Sequence, residues 1–328
     1  MKIVSLYSGA DNIGDGCDQA GHRIILAVEY NPIFPPFGKD ACETIKLNHP
    51  DCEVINKPVS EVLSTLPKCD AVVGGPPCPE FSRAKHNRTY DLCEVNNFKK
   101  AFEITKAKHY FMENVEDLYK VHRERNFLIN CADYGVPQTR IRRIFTNLEL
   151  PLPTHARFPS QRLVGESLKK WVSVKEALGL TDGYISNTGY GNTQNREYIT
   201  KSIDEPADII VTAATMKLTD YTIKSTKKIR NRVVTLQSLK EYNPKWFRKH
   251  PPIRIEGLSD TVLAKHRSTS NEYLTDGKYA RKLTNEELAI LQGFRTDFKF
   301  YGNKGSVRKQ IGNALPSIIS KAFFEGVS

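Results

Sequence analysis

Ile3-Val4-Ser5-Leu6-Tyr7-Ser8-Gly9-Ala10-Asp11-Asn12 is the stretch whose reading decides the fold. Its first half reads as a buried strand, and Ser8 to Asn12 read as a turn that opens a helix. The same alternation recurs downstream. Ile24–Val28 is a second apolar run, ending at Glu29, and Phe37–Asn48 reads as a helix behind Pro35-Pro36. Val54-Ile55, Ala71–Val73 and Tyr110–Met112 read as short strands, the last ending at Glu113. Short strands alternating with helical stretches predict βαβ units and a parallel sheet, hence an α/β fold. Ligands of such sheets bind at the carboxyl ends of the strands. Glu29, Cys78 and Glu113 stand in turns at such ends and are the first candidate site residues.

Beyond Leu150 the pattern changes. Pro151, Pro153 and Pro159 mark a linker, a loop-rich region follows, and Ile318–Phe324 reads as a closing helix. The 328 residues, at about 150 per domain, fit two domains. We expect an α/β domain from residues 1–160 plus 298–328 and a smaller, irregular domain from residues 161–297.

Composition excludes several classes. With 39% hydrophobic and 26% charged residues, 20 Gly and 18 Pro, the chain is neither collagen-like nor of low complexity. No run approaches the ~18 apolar residues of a membrane helix, and the first residues turn polar too soon for a secretory signal. The seven cysteines are odd in number, form no C-x-x-C pair and are absent beyond Cys131. That argues against a disulfide framework or zinc site, and a reducing, cytoplasmic location is expected. The eight histidines show no H-E-x-x-H or paired spacing, so no metal is expected.

The net charge of +11 is concentrated. Between Thr215 and Ile255 eleven Lys/Arg, among them Lys227, Lys228, Arg230 and Arg232, face only Asp220 and Glu241. Tyr221, Tyr242, Trp246 and Phe247 are interleaved with them. Clustered cations neutralise phosphates and aromatics stack on bases, which points to a nucleic-acid partner.

Gly74-Gly75-Pro76-Pro77-Cys78-Pro79-Glu80-Phe81-Ser82 fixes the backbone with two prolines before one thiol, as a positioned nucleophile requires. Glu113-Asn114-Val115, the run Asp133-Tyr134-Gly135-Val136-Pro137-Gln138-Thr139-Arg140-Ile141-Arg142, Arg281-Lys282-Leu283-Thr284, Leu291-Gln292-Gly293-Phe294 and Gln310-Ile311-Gly312-Asn313-Ala314-Leu315-Pro316 follow in order. Together with Tyr7-Ser8-Gly9-Ala10 these blocks resemble the DNA (cytosine-5)-methyltransferases.

The resemblance implies a Rossmann-like S-adenosyl-L-methionine-dependent methyltransferase domain with a target-recognition domain. It implies a double-stranded DNA substrate whose cytosine is flipped out of the helix, and a monomer. A cognate restriction endonuclease is a candidate partner, because the family includes restriction–modification enzymes besides phage and orphan ones. Carbon 5 of cytosine is a poor nucleophile until a thiolate adds to carbon 6. Cys78 is the implied nucleophile and Glu113 the acid at ring nitrogen 3. Arg140 or Arg142 supplies the positive field that keeps the sulfur anionic, spacing favouring Arg142 as the one facing the base. Gln138, Ser82 and Arg83 are implied DNA contacts, with the four cations named above. Cofactor contacts are implied at Tyr7, Ser8, Gly9, Ala10, Asp11 and Asn12, at Glu29 and Tyr30, and at Val59, Pro77 and Asn313. Glu29 is placed to accept both ribose hydroxyls. Asn313 would return from the far end of the chain, so the closing helix is expected to pack back on the first domain.

The chain departs from the family pattern in several places. Asp11-Asn12 stands for two glycines, Asn31 and Pro58 for aspartates and Pro79 for glutamine. Only 20 positions separate Glu113 from Asp133, so this part of the domain is trimmed. Two other activities fit the same blocks: methylation of cytosine in transfer RNA, and DNA binding by a catalytically idle homologue.

Overall fold

The computed structural model describes residues 1–32, 35–77, 91–159, 167–179 and 283–327, with the backbone of strands at 184–186, 201–202, 207–208, 234–235, 273–275 and 279–282. Cys78, Ser82, Arg83, Lys227, Lys228, Arg230 and Arg232 lie outside the described residues, so the structure does not bear on their expected roles.

Seven strands form the central sheet: β1 (Lys2–Leu6), β2 (Arg23–Val28), β3 (Glu53–Ile55), β4 (Ala71–Gly74), β5 (His109–Asn114), β6 (Asn126–Asn130) and β8 (Ile141–Thr146), with β7 (Gln138–Thr139) outside it. Their order is β3-β2-β1-β4-β5-β8-β6. The first five are parallel, and β8 runs antiparallel to both β5 and β6. Gly74 permits the close approach of β4 to β1, because a Cβ there would collide with the Leu6 carbonyl.

The central strands are apolar throughout because both faces are covered. Successive residues of β1 serve opposite cores. Ile3 joins Phe111, Phe323 and Phe324 on one face, and Val4 joins Val72, Phe98 and Met112 on the other. The helices that cover them are α1 (Asn12–Gln19), α2 (Pro35–Asn48), the short α3 (Val59–Val62) and α4 (Cys93–Thr105). The strands expected at 3–7, 24–28, 54–55, 71–73 and 110–112 and the helix expected at 37–48 all appear with boundaries moved by three residues or fewer.

The chain then returns. After α5 (Val174–Leu178) come α6 (Asn285–Leu291), α7 (Lys304–Asn313) and α8 (Ser317–Phe324). As expected, α8 packs on α1, and the contact is close: a Cβ at Gly16 would strike Ser317 O and Ser320 Oγ. The buried Asp15 carboxylate holds Arg295 at 2.8 Å. A third core cluster joins Ala10 and Ile311 to Val174, Leu283, Leu288, Leu291, Phe294 and Phe298. This cluster runs across the boundary expected at 297/298, because α6 must bury its apolar face and α7 is the surface it meets.

Candidate active site

Strand order reverses between β1 and β4, and in open sheets of this kind the ligand crevice lies at that reversal, outside the carboxyl ends. The β1 end enters it through alternating left-handed residues: Tyr7 (φ 53°), Gly9 (φ 57°) and Asp11 (φ 59°). Gly9 donates its N–H to Glu29 Oε2 at 2.8 Å. Glu29 follows β2, pinned by its own N–H to Ile55 O at 3.1 Å. Burial pushes the Glu29 carboxyl up to about 7; the Gly9 N–H and the Lys309 charge oppose this, and the Asp11 charge adds to it. Beyond the turn's own neighbouring residues, no described atom lies within 4 Å of where a Gly9 Cβ would stand. A buried carboxylate held by a backbone N–H, beside a turn with open space, fits a diol-bearing cofactor.

The other expected cofactor residues divide. Tyr30 and Pro77 are exposed, and Asn313 is exposed at the end of α7. Tyr7 gives its hydroxyl to Glu94 Oε2 at 2.7 Å, and Ser8 turns its own hydroxyl inward to Ser5 O at 3.1 Å and Ser5 Oγ at 3.0 Å. The side chains of Ala10, Asp11, Asn12 and Val59 are buried, so a cofactor contact at these positions would fall to the backbone. Ala10 and Val59 fill core, Asn12 Nδ2 donates to Leu315 O at 2.8 Å, and Asp11 lies beneath the turn.

The catalytic half is built on β5 and β8. Their antiparallel register sets Glu113 opposite Ile144 and Asn114 opposite Arg143. Arg142 Nε meets Glu113 Oε1 at 2.8 Å, with both side chains 15% exposed. A Cβ at Gly75 would stand 3.2 Å from Glu113 Oε2, so the carboxyl lies against the Gly75-Pro76-Pro77 turn that leads to Cys78. Asn114 braces that turn by donating to Pro76 O at 3.0 Å.

Arg140 is only 2% exposed. Its Nη2 donates weakly to Gly312 O at 3.4 Å, while Nε and Nη1 are buried without partners. Burial, and then the Arg142 charge, pull it down to about 9, which still leaves a cation at neutral pH. A buried guanidinium with two free donors is costly unless an anion or carbonyl completes it. The two arginines therefore have different situations: Arg142 is paired to the acid, and Arg140 waits for a partner.

Gln138 corrects another expectation. It is 0% exposed and donates to Leu291 O at 3.1 Å and Gln292 Oε1 at 2.9 Å. A side chain so enclosed ties the β7 turn to α6 and has no face for DNA. Sequence reasoning also passed over two residues. Asn114 had a signal, its place between the acid and the following valine; Lys309, beside Glu29 and 4.6 Å from the Phe37 ring centroid, had none.

The family model of the C-5 cytosine-specific DNA methylases matches residues 1–129 and 119–327. The chain belongs to the C-5 cytosine-specific DNA methylases. Among named relatives of this methylase, Type II methyltransferase M1.HphI of Haemophilus parahaemolyticus is 26% identical over 369 residues, covering 100% of this chain and 86% of the relative. M.FnuDI of Fusobacterium nucleatum is 28% identical over 350 residues, covering 96% and 91%. Two solved structures share the fold, at 17% and 12% identity. A prophage-encoded protein of Escherichia coli assigned as a DNA modification methyltransferase has a TM-score of 0.54, covering 100% of this chain and 98% of its own. A mutant of Spodoptera frugiperda DNMT2 has a TM-score of 0.53, covering 98% and 97%. The methylase thus has the Rossmann-like architecture of S-adenosylmethionine-dependent enzymes.

Proposed function

We propose that this methylase transfers a methyl group from S-adenosyl-L-methionine to carbon 5 of a cytosine flipped from a short double-stranded DNA target, through a transient bond to Cys78. The observation that carries the reading is the Glu113–Arg142 pair lodged against the Gly75-Pro76-Pro77 turn, with Arg140 unsatisfied beside it.

When bound, the cofactor supplies an electrophilic methyl on a sulfonium. Glu29 and the Gly9 turn would hold its ribose and methionine portions. The Cys78 thiolate adds to carbon 6, and the displaced ring electrons pass toward nitrogen 3, where a proton held at the Glu113 carboxyl stabilises them. Arg142 orients that carboxyl, and Arg140 offers its two free N–H donors to the sulfur anion or the base. Carbon 5, now enamine-like, would take the methyl as the carbon–sulfur bond of the sulfonium breaks, its electron pair staying on sulfur to leave a neutral thioether. Loss of its proton to a base then expels the thiolate from carbon 6 and restores the ring. The target atom is closed off inside a stacked duplex, so the base has to leave the helix first. The basic window between Thr215 and Ile255 supplies cations for the phosphates.

The names of the Type II relatives support a place in a restriction–modification system with a cognate endonuclease. The monomeric state and cytoplasmic location are our further readings. For the described residues no helix is long and apolar enough to cross a membrane.

The test is covalent trapping. Duplex DNA carrying cytosine fluorinated at carbon 5 is expected to leave the polymer attached through Cys78, while Cys78→Ser binds DNA and gives neither adduct nor product. An adduct elsewhere, normal methylation by Cys78→Ser, or labelling of transfer RNA but not DNA would overturn the proposal. Bisulfite sequencing of a host expressing the gene identifies the modified site.

A further inference from the structure

The left-handed residue two positions past Gly9 is an aspartate, and its environment is unusual. Asp11 is 0% exposed. Its Oδ1 accepts from Ser5 Oγ at 2.5 Å and from Gly14 N, at the start of α1, at 3.2 Å, while Oδ2 is buried with no hydrogen-bond partner. Ser8 Oγ donates to Ser5 Oγ at 3.0 Å, so a short chain of hydrogen bonds runs from the cofactor turn down to this carboxylate. Asp11 N also donates to Ser8 O at 2.7 Å, which closes the turn whose Gly9 N–H holds Glu29.

A second buried carboxylate on the turn that holds Glu29 needs an explanation, since two like charges in a poorly solvated region oppose each other. We infer that Asp11 is a positioning residue for the cofactor's ribose, acting from beneath the turn on the charge that Glu29 presents across Gly9. The inference rests on the reading of Glu29 as the ribose acceptor. Every charged group that faces the pair fits this arrangement. Glu29 is opposed by Lys309 from α7 and neighboured by the Cys42 thiol of α2. Asp11 feels His49, Asp15 and the buried Cys17 and Cys52 thiols. The His49 charge favours ionisation of Asp11 and Asp15 disfavours it; burial, the largest effect, pushes Asp11 up to about 6. Asp11 is therefore mostly ionised near neutral pH, and its charge raises Glu29.

The ribose hydroxyls need an ionised acceptor, so cofactor affinity should rise with pH around the Glu29 value. Calorimetric titration of the full chain with S-adenosyl-L-homocysteine, from about pH 5.5 to about pH 8, reads this directly. The wild type is expected to show a midpoint near 7. Asp11→Asn keeps the acceptor oxygen for Ser5 and Gly14 and removes the charge. It should move the midpoint down by about half a pH unit and bind roughly threefold tighter near pH 6. Coincident midpoints would overturn the inference, because a purely structural role would change affinity without moving the profile. Asp11→Gly, which suits the left-handed backbone, gives the same readout should the asparagine variant fail to fold. Glu29→Gln separates the two readings. A flat profile in that variant leaves Asp11 alone on trial, and an unchanged one removes Glu29 as the ribose acceptor.

Discussion

Arg142 reaches Glu113 across the antiparallel pair of β8 and β5, Nε to Oε1 at 2.8 Å. The contact leaves Glu113 Oε2 directed along the Gly75 backbone. An arginine at this place fixes the carboxyl's rotation as well as opposing its charge, and a lysine would do only the second. Glu113→Gln is expected to lower kcat by about 10²–10⁴, with DNA affinity within a few-fold of wild type. Arg142→Lys is expected to lower kcat by about 10-fold or more while KM for DNA stays nearly unchanged. Single-turnover kinetics check both. A loss confined to KM would show that the pair serves binding and not chemistry.

Arg140 yields the opposite sign for stability and activity. Its Nε and Nη1 are buried and unsatisfied in the protein alone, so the charge costs more than it returns until a ligand arrives. Arg140→Met, similar in length and apolar, is expected to raise the free energy of unfolding by about 1–3 kcal/mol and to abolish turnover. Denaturant titration beside a methyl-transfer assay decides it. A destabilised variant would mean that the guanidinium has partners in the folded protein.

The return of the chain onto the first domain depends on one small residue. At Gly16 of α1 the backbone of α8 comes so near that a methyl group has no room. Gly16→Ala is expected to destabilise by about 1–3 kcal/mol despite the better helix propensity of alanine. Its melting temperature should fall by several degrees. An unchanged or higher value would show that α8 is free to shift.

Strands β1, β2, β4 and β5 were legible because burial on both faces writes itself as an unbroken apolar run, and their ends delivered Glu29 and Glu113 directly. Helix α4 was not, since its Asn96-Asn97 and Lys99-Lys100 dilute the buried stripe of Val95, Phe98 and Ala101. Strand β8 was hidden for a related reason. Arg142 and Arg143 look like loop charges, yet Arg143 lies 4.3 Å from the Tyr119 ring centroid and donates to Glu116 O at 3.0 Å and to Asn126 Oδ1. The Glu113–Arg142 contact needed the antiparallel register, which spacing along a chain does not carry. Gln138 was named from its match to the family's block, and its partners Leu291 and Gln292 lie about 150 residues away, so only the folded β7 turn reveals them. The burial of Asp11 and Asn12 was not legible for a backbone reason: the turn is left-handed at Asp11, and Asn12 reaches Leu315 O from the far end of the chain.

The two buried carboxyls also govern how the free protein responds to acid. Asp11 goes from an ordinary 3.8 up to about 6 on folding, and Glu29 from 4.5 up to about 7, in both cases chiefly through burial. Each binds its proton more tightly in the folded chain than in the unfolded one. The stability linked to them is therefore complete below about pH 4 and is lost as pH rises through about 6 and 7. Asp11→Asn removes the Asp11 share, because an amide does not have to ionise in the core. The variant should match the wild type most closely near pH 4 and gain on it as pH rises, to a difference on the order of 2–3 kcal/mol at about pH 8. Urea unfolding of the cofactor-free protein across this range measures the gap. A gap that is constant with pH would mean that Asp11 holds its proton no more tightly folded than unfolded, its carboxylate being better solvated than its burial implies.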